Sequence, residues 1–296
     1  METDSPILSG IIVFLAVITI LLQQLAARKA SPILAIYARW TRWIFFSLGL
    51  ATSLQFFAVS TFPVWILSLM SFIVWFLFET VYYWFFIGAI SRSSAPIFPK
   101  YRQNENLGTW PNIARFIALK DWLHHKGFHK VDSLVLDMGS LRSPRSTVYA
   151  DESKKTYIQV TFVPNDKGSI FGWYNLFSKT KSEDLIVTDN IFMPYGGFYP
   201  EHWRLVRKPC IRKLDSLLKI HEKRLEEREA DIVSWDFDPL HDLNKEYRNL
   251  DLLNTQLGFL NPVDLRDEHG KITLEGRYRL WKELWSLNYL GKSLKY

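Results

Sequence analysis

The chain has 296 residues, with 36 Lys and Arg, 30 Asp and Glu, one cysteine and 48% hydrophobic residues. These averages are typical of a soluble protein, but residues 1–90 carry only four of the basic and three of the acidic residues, so 32 basic and 27 acidic residues follow. The single cysteine, Cys210, excludes an internal disulfide framework and a multi-cysteine zinc site. The sequence therefore predicts a membrane domain over residues 1–90, followed by a water-exposed part large enough for one ordinary domain.

Long apolar runs in this first domain predict three transmembrane helices, over residues 7–25, 43–59 and 64–88. At 1.5 Å per residue, the first run covers the roughly 30 Å of a hydrocarbon core. A cleaved signal peptide would begin with basic residues, whereas Glu2 and Asp4 precede this run and the basic residues follow it. We therefore interpret the chain as an integral, multi-pass membrane protein, with Pro63 in the first turn of its third helix.

Basic residues flank only one side of the predicted spans. The first loop carries Arg28, Lys29, Arg39 and Arg42, whereas the N-terminal tail and the second loop carry no Lys or Arg. Cytoplasmic loops retain Lys and Arg, so this distribution predicts that the N-terminus lies outside and the C-terminal domain lies in the cytoplasm. The lipid bilayer is then one predicted partner.

Glu79 is the one ionisable residue within the third apolar run. A carboxylate inside a membrane is typical of a proton relay, an ion site or a helix partner. A small transporter or channel component centred on Glu79 is therefore one hypothesis. We favour pairing with Arg39 or Arg42 near the cytoplasmic face, because transporters are typically built from internal repeats with broken helices.

Residues 91–109 are rich in Ser, Pro and other polar residues and predict a linker, followed by one cytoplasmic α+β domain over 110–296. A helix is expected over 111–126. Alternating apolar and β-branched residues predict strands over 133–138, 146–150, 156–163, 169–177 and 184–189, and their short connections predict an antiparallel sheet of about five strands. Helices are expected on both sides of this sheet along the chain, including an ordered, aromatic C-terminal one.

Apolar residues near the start of the C-terminal helical part recur at steps of three and four, which indicates a seam about two heptads long. Its members are Ile211, Leu214, Leu218 and Leu225. The seam fits either a short coiled coil between two copies of the chain or packing on the sheet of the same chain. The sequence leaves both open.

Three residues suggest an alternative function, a metal-dependent hydrolase. His221 together with His241 and Asp242 resembles the His…His-Asp pattern of HD-type metal phosphohydrolases, and the resemblance implies a divalent metal held by these three side chains. Asp238 has a simpler interpretation as a helix N-cap beside Pro239, and HD domains lack a preceding five-stranded sheet. The phosphate-loop, dinucleotide-loop, nucleophile-elbow and zincin motifs do not occur, so no catalytic residue and no cofactor are predicted.

Residues 257–276 also resemble the wing of winged-helix DNA-binding proteins, but the segment upstream, residues 242–251, is mixed in charge and is not a basic recognition helix. The net charge of +5 after residue 90 is spread over about 200 residues, which is not a nucleic-acid footprint, and no nucleic-acid partner is predicted. The leading hypothesis is a membrane-anchored cytoplasmic interaction or scaffold module with no identifiable active site, with a protein partner or a second copy of the chain as its ligand. The alternatives are the metal-dependent hydrolase and the transporter component.

Overall fold

The computed structural model describes residues 5–105, 110–139, 143–164, 169–227 and 231–294. It begins with three long helices: α1 (Ser5–Lys29), α2 (Pro32–Phe56) and α3 (Val64–Arg92). The connections are short, so the helices run up, down and up, and each packs on the next. The Ser31 side chain caps α2 by accepting from the Leu34 amide. Pro63, expected in the first turn of the third helix, is instead the residue just before α3 and makes no side-chain capping bond. We refer to these three helices as the anchor.

By length and composition, two helices in the described part of the chain could cross a membrane, Pro6–Lys29 and Val64–Arg92. The second anchor helix is not one of them, because Arg39 and Arg42 lie in it together with Gly, Ser, Thr and Gln. It also begins at Pro32, well before the predicted span 43–59. Each predicted span overlaps one observed helix.

The rest of the chain has mixed α and β structure around one eight-stranded sheet. Its strands are β1 (Tyr101–Gln103), β2 (His129–Leu136), β3 (Arg145–Ala150), β4 (Tyr157–Pro164), β5 (Ile170–Thr180), β6 (Leu185–Asp189), β7 (Trp203–Arg207) and β8 (Ile232–Val233). The first seven lie side by side in chain order, and β8 pairs with the end of β5. All pairs are antiparallel except β6 with β7.

The mixed α and β character is confirmed, and the five predicted strands correspond to β2 through β6. The five predicted strands pair antiparallel with one another, as expected. The sheet has eight strands where about five were predicted, and the added strand β7 pairs parallel with β6. The additional strands β1 and β8 have only three and two residues, too few for a sequence pattern. In β7, WRLVR, arginines stand on both sides of the apolar pair Leu205 and Val206, so the alternation of apolar and polar residues is missing. The parallel β6–β7 pair also needs a crossover from Asp189 to Trp203, which local turn signals do not predict.

Residues 91–109 were expected to be a linker, but the structure builds part of this segment into the domain. Ser91 is the penultimate residue of α3 and is buried. Tyr101–Gln103 forms β1, which pairs with Leu134–Leu136 of β2. Polar composition predicted a loop here because a three-residue edge strand has almost no pattern of its own.

The helices of the domain are α4 (Ala114–His125), α5 (Leu214–Glu226), α6 (Pro239–Gln256), the single turn α7 (Arg266–His269) and α8 (Leu274–Trp285). A π-helical segment, Ser286–Leu290, continues α8. Since side chains alternate across a strand, Tyr149 and Ile158 face one side of the sheet, where α4 and α5 cover them. Their neighbours Val148 and Tyr157 face the other side, under Trp235.

Candidate functional site

Glu79 is the centre of a buried polar cluster where the anchor meets the domain. Its carboxylate accepts hydrogen bonds from Trp75 Nε1 at 2.9 Å and from the Tyr83 hydroxyl at 3.0 Å, both on α3. Arg42 of α2 lies 3.4 Å away and pairs with it. The hydroxyl of Tyr289, from the π-helical segment, donates to the second carboxylate oxygen. Four donors from three elements therefore converge on one carboxylate, which is 8% exposed.

Aromatic rings surround this cluster. The Trp43 ring stacks on Trp40 at 5.5 Å and on Phe72 at 4.3 Å between ring centroids. Trp285 and Tyr289 contact the same Trp43 ring, at 5.6 and 5.1 Å. Trp40 Nε1 also donates to the backbone carbonyl of Tyr289 at 2.9 Å. The end of the domain is therefore seated between α2 and α3, and we call Trp285–Leu290 the docking segment.

The last helix brings the docking segment to this position by running antiparallel to α3. At its start, the amide of Ile272 donates to Ser91 Oγ at 2.9 Å. Further along, Trp285 packs edge-on against Tyr83, and the segment ends at Glu79. Ser91 and Glu79 are twelve residues apart on α3, so contact extends over about 18 Å of that helix.

The local sequence explains this course. Thr273 caps α8 by accepting from the Gly276 amide at 3.0 Å. Glycine is required at positions 196 and 276, because α8 and the neighbouring backbone come too close together there to leave room for a Cβ atom. A Cβ on Gly196 would lie 2.5 Å from the amide nitrogen of Leu280, and one on Gly276 would collide with the carbonyl of Phe259. These glycines allow the helix to lie close to the rest of the domain.

A second buried polar cluster ties β6 to β7. Arg207 donates to Asp189 through Nε at 2.8 and 3.1 Å and through Nη2 at 2.9 Å, and Nη2 also bonds the Tyr199 hydroxyl at 3.0 Å. The arginine and aspartate side chains are 8% and 3% exposed. Because both charges are paired and hydrogen-bonded, this cluster has a structural role in holding the parallel strand pair.

The three residues of the metal-site alternative are not brought together. His221 lies inside the core, where Nε2 is 3.1 Å from Ser178 Oγ and Nδ1 is 2.9 Å from Thr188 Oγ1. Both ring nitrogens are therefore occupied. Burial, with a smaller effect of the Arg224 charge, lowers the pKa of His221 to about 3, so the ring is neutral.

His241 and Asp242 lie instead on the exposed first turn of α6, where they contact each other at 2.9 Å. Asp238 accepts from the His241 amide at 3.1 Å, as expected of an N-cap. Within the described ranges, no group of three or more His, Cys, Asp or Glu side chains is arranged to hold a metal ion.

The residues of the apolar seam face the sheet of the same chain. Leu214 and Leu218 are buried in the core with Leu217, and Ile211 packs against that core. Leu225, at the far end, is half-buried. In this molecule, the seam thus packs in cis. Cys210, just before it, contacts the carbonyl of Gly291 at 3.6 Å, and partial burial raises the pKa of its thiol, which favours the inert form.

No protein-family model, curated protein or solved structure matches this chain. The site therefore has to be interpreted from its own geometry. The sequence analysis offered Arg39 or Arg42 as the partner of Glu79, and the structure has Arg42 in this place. It missed Trp75, Tyr83 and Tyr289 as further partners. The only sequence signal for Tyr289 was the density of aromatic residues at an ordered C-terminus, which does not reveal what those residues contact.

Proposed function

We propose that this chain is a three-span membrane protein whose C-terminal domain is a cytoplasmic interaction module docked rigidly on its own anchor. The observation that carries the proposal is the convergence of anchor and domain on Glu79. A domain on a free tether samples many orientations, whereas this one is fixed to its anchor through buried contacts. Such an arrangement suits a module that presents one defined surface to a partner at the membrane.

Membrane insertion is supported by the exposure of the apolar helices. Only 6% of the most apolar 18-residue stretch of α1 is buried within the molecule, and 17% of that of α3. A core helix of a soluble protein would be mostly buried. In the anchor, Phe14, Leu77 and Phe85 are among many large apolar side chains that face outward. Lipid around the anchor would remove this surface from water.

The second helix fits as the remaining span because both of its arginines, Arg39 and Arg42, lie in its first half. From Trp43 onward α2 is uncharged, and Arg42 is neutralised by Glu79. The loop from Phe57 to Pro63 has no basic residue, whereas the opposite end of the anchor carries Arg28, Lys29 and Arg92. This asymmetry supports a cytoplasmic domain and an N-terminus outside.

The surface offered to a partner is the helical part after residue 250. Most of the strongly exposed large apolar side chains found beyond the anchor, among the described residues, lie there: Leu252, Leu257, Val263, Leu265, Leu274 and Tyr278. Exposed apolar surface of this kind is typical of a protein interaction site. The partner is a protein of the same membrane face or a second copy of the chain.

Topology is tested with single cysteines, because Cys210→Ser leaves a cysteine-free chain. Thr61→Cys in the α2–α3 loop should react with an impermeant maleimide from outside, and Glu222→Cys on α5 only after the membrane is opened. Retention after alkaline extraction should accompany this pattern. Labelling of both positions from the same side would contradict three spans.

The interaction surface is tested by native mass spectrometry of the full chain released from its membrane in nanodiscs. We expect a complex with a stoichiometric partner or with a second copy. Val263→Asp with Leu274→Asp should dissociate it, since both side chains are exposed and their loss leaves the core intact. Val131→Asp with Met193→Asp, exposed elsewhere on the domain, is the control. A wild-type chain that remains monomeric and alone would contradict the proposed function.

A further inference from the structure

An open apolar groove of about 580 Å³ follows the last three turns of α3, on a face that α8 leaves uncovered. Its floor consists of residues at helical steps of three and four: Val81, Trp84, Phe85, Gly88 and Ala89. Gly88 leaves the groove open, because a Cβ built at this position meets no heavy atom within 4 Å. The groove is apolar and its lining follows α3 from Val81 to Arg92, which suits a hydrocarbon chain.

Two arginines line the groove toward the end of α3. Arg92, in the last turn of α3, is exposed. Arg277 comes from α8, and its guanidinium is held in place by bonds from Nε to the carbonyl of Ile272 and from Nη2 to that of His269, both at 3.2 Å. An apolar groove with two cations complements an amphiphile that carries an anionic phosphate.

The expected position of the groove in the bilayer agrees with binding of an anionic amphiphile. With 29 residues, α3 is about 43 Å long, close to the roughly 40–45 Å of a bilayer including its headgroups. Arg92 then lies at the level of the cytoplasmic headgroups, and the groove extends from there about 16 Å along α3 toward the bilayer centre. The cytoplasmic leaflet is also the one that carries anionic lipids.

We propose that this groove binds one anionic phospholipid of the cytoplasmic leaflet, with its phosphate between Arg92 and Arg277 and an acyl chain along Val81, Phe85 and Gly88. The inference rests on the proposed membrane location. Since Arg92 belongs to the anchor and Arg277 to the domain, the bound phosphate joins the two. Lipid occupancy therefore stabilises the docked state, because a ligand that binds only one state favours that state.

The test uses the full chain in nanodiscs of phosphatidylglycerol mixed with phosphatidylcholine, and counts the lipids retained in native mass spectrometry. The wild type should retain one phosphatidylglycerol. Gly88→Phe fills the groove and should abolish retention. Gly49→Phe, on α2, is the matched control, because its Cβ also meets no atom within 4 Å, and it should retain the lipid.

The headgroup contact is tested separately. Arg92→Gln and Arg277→Gln should each reduce the preference for phosphatidylglycerol over phosphatidylcholine about tenfold, because each removes one charge-assisted hydrogen bond to the bound phosphate. Arg28→Gln with Lys29→Gln, basic residues at the same membrane face, should leave the preference unchanged. Full competition by soluble glycerol 3-phosphate would show that the ligand is a free phosphate ester and would overturn the lipid assignment.

Three further results would overturn the inference: undiminished retention in Gly88→Phe, equal loss in Gly49→Phe, or equal loss of preference in the Arg28 and Lys29 variant. Alkaline extraction of the same samples separates these results from a failure of the proposed function. A wild-type chain that stays in the membrane but retains no lipid contradicts only the lipid site. A wild-type chain that is extracted contradicts the membrane location itself.

Discussion

The hydroxyl of Tyr289 donates a hydrogen bond to the carboxylate of Glu79, a residue 210 positions earlier in the chain. This bond links the end of the domain to the third helix of the anchor. A buried carboxylate is costly unless it is paired and hydrogen-bonded, and here Arg42 supplies the charge while Trp75 and Tyr83 supply further donors. Three of the four donors belong to the anchor, and docking of the domain adds the fourth.

Removing the Glu79 charge should loosen the docking segment. In Glu79→Gln, the charge-assisted bonds become neutral ones, whereas Arg42 is 38% exposed and can be solvated, so we expect a loss of about 1.5–3 kcal/mol in the free energy of unfolding. Tyr289→Phe removes one bond to a charged group and should cost about 1.5–3 kcal/mol. Amide hydrogen exchange in Ser286–Leu290, measured in mild detergent, should accelerate in both variants.

The two substitutions should also be coupled, because they remove partners of the same bond. The double variant should lose less stability than the sum of the single variants. Tyr278→Phe, an exposed tyrosine on α8, is the control and should change neither stability nor exchange. Additive losses would mean that Tyr289 and Glu79 act independently.

His221 should make the domain sensitive to acid. Its pKa is about 3 in the folded chain and near 6.5 when unfolded, so the unfolded chain binds more protons between these values. The stability that the neutral ring provides is complete above pH 6.5 and is lost as the pH falls toward 3, at about 1.4 kcal/mol per pH unit.

The measurement is denaturant unfolding of the wild type and of His221→Gln at pH 7.5, 6 and 5. Glutamine keeps a donor and an acceptor for Ser178 and Thr188 but does not titrate. The variant should lose stability with falling pH less steeply than the wild type. Parallel pH profiles would mean that His221 is not buried as a neutral ring.

The buried Asp189–Arg207 ion pair should contribute far more to the free energy of unfolding than the more exposed Asp184–Arg204 pair at the other end of β6 and β7. Asp189→Asn leaves a buried arginine without its counter-ion and should cost about 3–5 kcal/mol. The matched control is Asp184→Asn, because Asp184 pairs with Arg204 at the other end of β6 and β7, where the arginine is 55% exposed. That change should cost less than about 1 kcal/mol in thermal or denaturant unfolding. Equal losses would contradict the structural role of the buried pair.

Because the apolar seam packs on the sheet of its own chain, the stability lost on mutating it should not depend on the protein concentration. Leu214→Ala deletes a core side chain and should cost about 2–5 kcal/mol at every protein concentration. If the seam instead joined two copies, the loss would diminish as the protein was concentrated. Leu252→Ala, at a 60% exposed position on α6, is the control and should change stability by less than about 0.5 kcal/mol.

The sequence by itself determined the elements with strong local patterns. The three predicted spans each overlap an observed helix, because runs of apolar residues without breakers form helices whatever their neighbours are. Strands β2 through β6 were predicted because their alternation reflects one buried face and clear turns separate them. The pairing of Glu79 with Arg42 was also among the expectations, since a carboxylate within a long apolar run needs a cation nearby.

Only the tertiary structure decided which distant surfaces meet. The parallel pairing of β7, the burial of His221 away from His241, and the packing of Leu214 and Leu218 on their own sheet all depend on contacts between residues far apart in sequence. The same holds for Tyr289, because no pattern in the sequence around it predicts its contact with Glu79. Local patterns set the period and polarity of each element, whereas the choice among apolar partners is made by shape and hydrogen-bond satisfaction when all elements pack together.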